Sequence, residues 1–303
     1  MVVVFSYPTF SATSTPYGFL GEAKSARAAA LSGAFVSFEN DASALFYNPA
    51  TLYTVEDKPL TLTFLKNVLD INSGNAVYVQ KTENYGTLAY SANYDSFGNF
   101  DYADENGDRT GGSFSGGDFS FGFSLSDELD ENIYYGLTTK FIYVGLEGKY
   151  TTALAVDGGL FLRWSDRTNF GFSILNAGTV MKEFDADGSG LPLDVRFGFN
   201  HRMKGLPILA NFSFHHLNEE VTDFFDRFAN ISIGLEIDFG KYIDGRLGYD
   251  NQIRRKISPE FGGGLGGFSL GLGGEFESFT LDYGLSQYGS AAFLHRLSFA
   301  LNI

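Results

Sequence analysis

Few residues of this chain combine a reactive side chain with a spacing that suits catalysis or metal binding. Cysteine is absent, which excludes disulfides, thiol catalysis and cysteine-bound metals. The four histidines are His201, His215, His216 and His295. His215 and His216 are adjacent in a segment with strand-like periodicity, where neighbouring side chains point to opposite faces. We therefore expect that these two imidazoles do not hold one metal ion together.

Two glycine-rich motifs have the residues of catalytic or phosphate-binding signatures without the structural context. Gly267–Gly271 reads G-x-S-x-G, with Ser269 at the nucleophile position, and Gly262–Gly267 reads G-x-G-x-x-G. A nucleophile elbow needs a strand, a sharp turn and a helix, and a phosphate loop needs a helix N-terminus. Strand-like alternation flanks these glycines on both sides, so we interpret both motifs as chance matches.

Two acidic segments resemble parts of calcium-binding loops. Asp185–Gly190 and Asp101–Asp108 carry closely spaced carboxylates, but neither has the full ligand set with a distal Glu at the required spacing. We interpret them as acidic surface loops, with weak binding of the divalent ions that bridge lipopolysaccharide as the alternative. The sequence therefore predicts no catalytic, cofactor-binding or metal-binding residues, no cofactor and no enzyme activity.

Alternation of apolar and polar residues is the dominant pattern from residue 60 to residue 303. In 231–239, for example, five apolar residues alternate with Ser232, Gly234, Glu236 and Asp238. This two-residue period is typical of strands with one apolar and one polar face. About fourteen such segments occur, near residues 60–66, 75–81, 86–95, 113–125, 132–144, 151–164, 168–176, 191–200, 207–216, 228–239, 242–250, 261–275, 278–286 and 293–303.

The connections between these segments alternate in length. Outer-membrane barrels combine long extracellular loops with short periplasmic turns. The sequence therefore predicts an all-β fold: a transmembrane antiparallel up-and-down β-barrel of about 14 strands in the bacterial outer membrane. An even strand number places both termini on the periplasmic side. The connections are short after even-numbered segments and mostly long after odd-numbered ones, at 67–74, 96–112, 145–150, 177–190, 217–227, 251–260 and 287–292.

The composition is compatible with such a barrel. Aromatic residues make up 17% of the 303 residues, glycine is abundant and proline is scarce, as expected for many strands joined by tight turns. The mean hydropathy of −0.05 suits a barrel, because lipid-facing apolar residues alternate with polar residues that face the lumen. A soluble all-β protein is the alternative, but it would need a second sheet to cover its aromatic strand faces.

The net charge of −15 disfavours nucleic acid as a partner, because phosphates would be repelled. Charged residues also fall on the polar faces of the predicted strands, where a cation placed in lipid at the midplane would cost about 2–4 kcal/mol. We expect these charges to face the lumen as a paired network, with isolated, solvated charges in a wide pore as the alternative. They are Asp118, Lys140, Asp157, Arg163, Asp194, Arg196, Glu236, Asp238, Asp244, Arg246, Asp282 and Arg296.

The N-terminal part of the chain differs from the alternating segments. Residues 1–12 contain a short apolar stretch and are interpreted as a possible residual signal segment, with an ordinary soluble N-terminus as the alternative. Residues 13–56 are rich in Ala and Ser and suggest a plug, or hatch, within a barrel formed by 57–303. A flexible periplasmic tail is the alternative for this segment.

Two short helices are expected within the plug segment. Ala23–Leu31 is rich in Ala, the strongest helix former. Asn40 and Asp41 offer a cap for a second short helix that extends through Phe46. Pro49 is expected to end it, because the residue before a proline disfavours helical geometry.

Several stretches together resemble a known family. Gly21–Leu52, which contains Arg27 and the triplet Asn48, Pro49 and Ala50, resembles the N-terminal plug motif of the PorV/PorQ family of FadL-like barrels. The similarity covers nearly the whole chain and is greatest to the PorQ branch. Further stretches that resemble the family are Asn176–Gly178, Leu191–Gly198, Arg246–Arg255, Phe279–Gly284 and the alternating final strand Arg296–Ile303.

The resemblance implies a non-enzymatic 14-stranded outer-membrane barrel of the type IX secretion system, a scaffold or anchor for surface attachment of secreted proteins. Its partners would be outer-membrane lipid, lipopolysaccharide and other secretion or attachment proteins, which would dock on loops 96–112, 177–190 and 217–227. The alternative is a FadL-like transporter with a hydrophobic small molecule in its lumen. The short, Ala-rich segment 22–50 favours secretion, because FadL transporters carry a longer plug with an apolar pocket.

Overall fold

The fold is a closed antiparallel barrel in which each strand pairs with its neighbours in the chain and β1 pairs with β14. This confirms the predicted 14-stranded barrel. A computed structural model describes residues 15–56, 59–66, 71–104, 108–183, 190–221, 223–256, 265–288 and 292–302. The strands within these ranges are β1 Leu60–Lys66, β2 Asn72–Thr82, β3 Gly86–Ala103, β4 Arg109–Asp130, β5 Ile133–Leu146, β6 Lys149–Ser165, β7 Thr168–Lys182, β8 Asp194–Arg202, β9 Ile208–Phe214, β10 Ile231–Asp238, β11 Ile243–Asp250, β12 Phe268–Glu275, β13 Phe279–Tyr288 and β14 Ala292–Leu301.

Helices are few and short. The α-helices are α1, Ala26–Ala30, and α2, Asn251–Lys256. Across the described part of the chain, no helix has the length and apolar character needed to cross a membrane. Single 3₁₀ turns lie at Gly18–Gly21, Ala42–Phe46, Pro49–Thr54 and Phe224–Ala229.

The outer face of the barrel is apolar and the inner face is polar. In β14, Leu297 and Phe299 are exposed on the outside, whereas Arg296 and Ser298 are buried inside. Large apolar side chains are likewise exposed on the outer face of most other strands, and those of β9 and β10 are partly exposed. An exposed apolar belt of this extent is what lipid contact requires.

The two ends of the barrel differ in their connections. The end reached by odd-numbered strands, called here the long-loop end, carries the connections 183–193, 215–230 and 251–267. At the opposite, short-turn end the strands are joined by two to five residues, for example at 131–132 and 203–207.

The predicted loop at 96–112 is wrong. Most of it is strand, because β3 continues to Ala103 and β4 begins at Arg109. Both faces of the residues around 109–113 are exposed, so beyond the apolar belt the ladder continues without the alternation that marks a strand in sequence. The predicted loop 145–150 is also mostly strand. Only Glu147 and Gly148 form the turn, both with positive φ, as a two-residue hairpin requires.

Residues 15–56 lie inside the lumen and are called the plug below. The plug begins at the long-loop end, where Thr15 Oγ1 donates to Gly190 O at 3.1 Å. It ends near β1, whose first residue, Leu60, pairs with Leu301 at the short-turn end. The plug therefore crosses the lumen once. Residues 1–14 lie outside the described residues, and the membrane side that each end faces stays a prediction.

The plug has the two expected short helices, with one difference. Ser25 Oγ accepts from Ala28 N and begins α1, and Asp41 Oδ1 accepts from Ser43 N and begins the turn Ala42–Phe46. That second element has 3₁₀ geometry and ends before Pro49. Pro49 then begins a further 3₁₀ turn, because its fixed φ suits the first position of a helix.

Eight lumen-facing glycines give the plug its space. They form four directly opposed cross-strand pairs, and a Cβ at any of them would come within 3.0 Å of a plug atom. At Gly159 that atom is Asn48 Oδ1, and at Gly171 it is Val36 O. The plug backbone therefore touches the wall where side chains are missing. The pairs are Gly136 with Gly159, Gly171 with Gly198, Gly234 with Gly248, and Gly271 with Gly284.

The eight lumen-facing glycines are called the glycine belt below. Gly159, which belongs to it, and its neighbour Gly158, which does not, provide a matched test of the contact between plug and wall. Gly159→Ala should destabilise the protein by about 1–3 kcal/mol, because the added methyl group overlaps Asn48. Gly158 faces outward with only Leu137 near its missing Cβ. Gly158→Ala should therefore be neutral or stabilise by about 0.4–1 kcal/mol. The free energy of unfolding in lipid measures both, and equal effects would show that the plug does not press on the wall.

Candidate functional site

The candidate functional site is the lumen, where the plug lies between two cavities. One, at the long-loop end, has a volume of about 160 Å³, and the other, at the short-turn end, has about 380 Å³. Ala29 of α1 lines the first and Arg27 of the same helix lines the second. The helix α1 is thus part of the partition between them.

Barrel side chains satisfy much of the plug backbone. Ser126 Oγ donates to Ala50 O at 3.0 Å, and Ser173 Oγ donates to Tyr47 O at 2.6 Å. A buried backbone group without a partner is costly, so these contacts stabilise the seated plug. Similar contacts come from Asn75 to Lys24 O, Asn200 to Ser37 O, Ser269 to Ala30 O, Arg296 to Ala23 O, and from Ala26 N to Ser298 Oγ.

Asn48 is the centre of the plug motif that the resemblance indicated. Its side chain is fully buried. Nδ2 donates to Val36 O at 3.0 Å and to Leu160 O of β6 at 2.9 Å, while Oδ1 accepts from Ala50 N at 3.1 Å. One amide therefore joins two segments of the plug to the barrel wall, with Pro49 starting the next turn.

Arg27 of the plug forms an ion network with the wall near the short-turn end. Its guanidinium donates to both oxygens of Glu236, at 2.8 and 2.7 Å. Glu236 also accepts from Arg246 Nε at 2.6 Å, and Arg246 Nη1 donates to Asp282 Oδ1 at 2.6 Å. Arg246 is within 3.6 Å of Asp244. Bidentate and charge-assisted bonds of this kind hold geometry strongly.

The remaining predicted lumen charges form separate small groups. Lys140 pairs with Asp157 at 2.8 Å, and Arg196 pairs with Asp194 at 2.6 Å. Two predicted members lie near the short-turn rim and pair with residues outside the predicted set: Arg163 with Glu39, and Asp238 with Arg202. Arg296 bonds Ala23 O and Ser286 Oγ. Asp118 has no such partner and is considered below.

The predicted opposite orientation of His215 and His216 is wrong. The strand β9 ends at Phe214, and His216 has a positive φ of 54°, so strand geometry does not apply. Both rings line the long-loop cavity, with His215 Nε2 3.3 Å from Asp250 and His216 Nδ1 3.4 Å from Asp194. Burial lowers the pKa of His216, although Asp194 opposes this shift. In the described ranges, no three His, Asp or Glu residues are placed to hold a metal ion.

The long-loop cavity has an apolar wall and a polar side. Its apolar lining includes Ala29, Ile253, Phe268 and Leu294. Its polar lining includes the two histidines and Arg196, whose guanidinium lies 5.3 Å from the Tyr47 ring centre. An engineered protein cavity of about 150 Å³ with an apolar lining binds benzene. A volume of 160 Å³ therefore accommodates a molecule of about one aromatic ring.

Ser269 of the G-x-S-x-G motif lies within β12. Its hydroxyl donates to Ala30 O at 2.8 Å and lies 2.7 Å from Ser32 Oγ, so it supports the plug and follows no strand-to-helix elbow. The second glycine motif, the acidic run 185–189 and residues 105–107 fall partly or wholly outside the described residues. Sequence reasoning missed the glycine belt, although its signal, one glycine on the polar face of successive strands, was present.

The ion network predicts a large effect at Glu236 and a small one two residues away. Glu236→Gln should destabilise the protein by about 3–5 kcal/mol, because buried Arg246 and partly buried Arg27 lose the carboxylate that they share. Asp238→Asn, on the same strand, removes a carboxylate that pairs with half-exposed Arg202 and should cost under about 1 kcal/mol. Denaturant titration in lipid gives both values, and similar losses would contradict this assignment.

No family model and no curated protein matches this chain, but solved structures are similar to it. The toluene transporter TodX of Pseudomonas putida matches with TM-score 0.60 and 13% identity, over 92% of this chain and 98% of that one. CymD, a monoaromatic hydrocarbon channel, matches with TM-score 0.55 and 10% identity, over 92% and 97%. A FadL homologue of Pseudomonas aeruginosa matches with TM-score 0.54 and 11% identity, over 92% and 98%. At these identities the likeness shows the barrel fold alone.

Proposed function

We propose that this chain is a FadL-type channel of the bacterial outer membrane that takes up hydrophobic molecules of about one aromatic ring. The observation that carries the proposal is the long-loop cavity, which has the volume of a single ring and an apolar wall against the plug. The proposal assigns no catalytic role and no cofactor to the chain, and makes lipid and lipopolysaccharide its surroundings.

The similar structures support this choice over the role that the family resemblance implied. TodX is described as a toluene transporter and CymD as a monoaromatic hydrocarbon channel. Those names describe those proteins, and what this chain shares with them is the barrel fold. The match in scale between a ring-sized ligand and a cavity of 160 Å³ is independent of sequence identity.

Passage to the short-turn end would require a change at α1. Ala29 and Arg27, on opposite sides of this helix, line the two cavities, and Arg27 is held by Glu236. In the proposed mechanism, a molecule first partitions into the long-loop cavity and continues when α1 shifts from the wall. The ion pair between Arg27 and Glu236 would have to break for α1 to shift. The seated plug is therefore the resting state.

Filling the long-loop cavity should block the proposed uptake. Ile253 of α2 lines the cavity, whereas Arg255 on the same helix is exposed. For Ile253→Trp we expect the affinity for toluene to fall by roughly tenfold or more, since about 1.4 kcal/mol of lost binding free energy suffices for that change. Arg255→Trp should bind toluene like the parent protein. Equal binding by all three proteins would place the ligand elsewhere.

A scaffold of type IX secretion is the second candidate. The observation that favours it is the fixed plug, which is bonded to the wall by Asn48 and Arg27. The hairpin of β3 and β4, which extends beyond the apolar belt, would then offer part of a docking surface for a surface-attachment partner.

A deletion strain separates the two candidates. If the chain is a channel, uptake of radiolabelled toluene should fall in the deletion strain and return with the parent gene but not with the Ile253→Trp gene. Surface attachment of secreted proteins should be unchanged. Loss of surface attachment with normal toluene uptake would reject the channel and favour the scaffold.

A further inference from the structure

One pair of buried carboxylates in the lumen differs from the others. Asp95 of β3 and Asp118 of β4 are directly opposed in register and are only 6% and 2% exposed. Asp157, by contrast, pairs with Lys140. Among the residues that the structure describes, no ion pair includes Asp95 or Asp118. Two adjacent carboxyl groups thus share a buried position without a direct ion pair.

The basic residue nearest in the plug is directed elsewhere. Lys24 lines a small cavity together with Asp95, but its Nζ donates to Phe19 O at 2.7 Å and lies 5.3 Å from the Phe19 ring centre. The ammonium group is therefore engaged by the plug itself.

Unpaired oxygen atoms surround this small cavity, whose volume is about 10 Å³. Four buried oxygens have no hydrogen-bond partner: Asn75 Oδ1, Asn93 Oδ1, Asp95 Oδ2 and Asp118 Oδ1. Asn75, Asn93 and Asp95 line the cavity directly. Asn93 is 6% exposed, so its amide oxygen is inaccessible to bulk water.

Both amide nitrogens donate hydrogen bonds to other groups, so the amide oxygens remain as acceptors at the site. Asn75 Nδ2 donates to the carbonyl oxygen of Lys24 at 2.6 Å, which leaves Oδ1 toward the cavity. Asn93 Nδ2 lies 2.9 Å from Ser120 Oγ as a donor. Asn75 and Asn93 are directly opposed in register, one layer from Asp95 and Asp118. The strand register therefore gathers four acceptors from β2, β3 and β4.

Neither a water molecule nor a proton satisfies this arrangement alone. A water donates two hydrogen bonds, so two of the four oxygens would remain without a donor. A proton shared by Asp95 and Asp118 would leave both amide oxygens unsatisfied, so a water molecule would have to bind beside it. A cation is bound by several oxygens at once and offsets the carboxylate charge as well.

We propose that Asn75, Asn93, Asp95 and Asp118 bind a monovalent alkali cation, Na⁺ or K⁺. A cavity of 10 Å³ holds about one water-sized particle, which suits a dehydrated alkali ion. Divalent Ca²⁺ favours six to eight oxygens, several of them carboxylates, and no three acidic or imidazole side chains in the described ranges are grouped for a metal.

The cation site would also join the plug to the wall. Glu22, Ala23 and Lys24 of the plug line the same cavity as the wall residues Asn93 and Asp95. A bound ion removes the repulsion within the carboxylate pair where the plug rests on it. Binding of the ion therefore stabilises the seated plug. This effect does not depend on which molecule the channel carries.

Stability at constant ionic strength tests the proposal. The full-length protein is heated in lipid or detergent with NaCl, KCl or N-methylglucamine chloride, and the unfolding midpoint is read from its gel migration. We expect a higher midpoint in the alkali salts. At an ion concentration ten times the dissociation constant, the folding equilibrium constant should rise about 11-fold over that without the ion.

Two substitutions and a control locate the effect. Asp118→Asn and Asp95→Asn should each abolish the difference between alkali and N-methylglucamine salts. Both substitutions replace a carboxylate with an amide of the same shape. If only one of the two variants folds, that variant alone is enough to test the site. Asp244→Asn removes a lumen carboxylate near Arg246 and should keep the full salt difference. If the salt difference is absent in the parent protein, or persists in both site variants, the proposal is wrong.

Thallium provides a direct probe, since Tl⁺ replaces alkali ions and scatters anomalously. Crystals of the parent protein soaked in Tl⁺ should show an anomalous peak in contact with Asn93 Oδ1 and Asp95 Oδ2. The peak should be lost in Asp118→Asn. A stability that falls as the pH rises, with no response to alkali ions and no Tl⁺ peak, would identify a shared proton instead and overturn the cation site.

Discussion

The plug has too little regular structure to satisfy its own backbone groups inside the barrel, and the design of the lumen follows from this constraint. Its longest α-helix, α1, has five residues, whereas each helix end leaves several N–H or C=O groups without a partner. The wall responds in two ways. Ser, Asn and Arg side chains bond the plug backbone, and paired glycines remove the side chains that would hold it away.

The same contact also separates the two ends of the lumen. On the short-turn side, partly buried Arg27 joins an ion network with buried Glu236, Arg246 and Asp282. On the long-loop side, Ala29 contributes to the partition and faces a cavity with an apolar wall and a polar side. The charges beyond it favour a closed plug, because uncoupling them costs several kcal/mol, in the range of about 3–5.

Local departures from strand geometry decide the chemistry of the lumen rim. The sequence 207–216 alternates, so His215 and His216 were expected on opposite faces. The left-handed conformation of His216 brings both rings to one cavity. Residues 96–112 were expected to form a loop, yet most of them pair as a ladder beyond the apolar belt. In both cases hydrogen bonding across the chain overrides the local pattern, and the pattern carries no trace of it.

The sequence by itself determined the number of strands, their apolar and polar faces and the presence of an N-terminal plug with two short helices. A strand has a side-chain period of two, so lipid on one side and a lumen on the other leave a repeating mark. Only the tertiary structure decided which charges pair, where the glycines meet the plug and how large the cavities are. Those properties depend on strand register and on the path of the plug through the lumen. They bring together residues as far apart as Arg27 and Glu236, whose proximity no local pattern encodes.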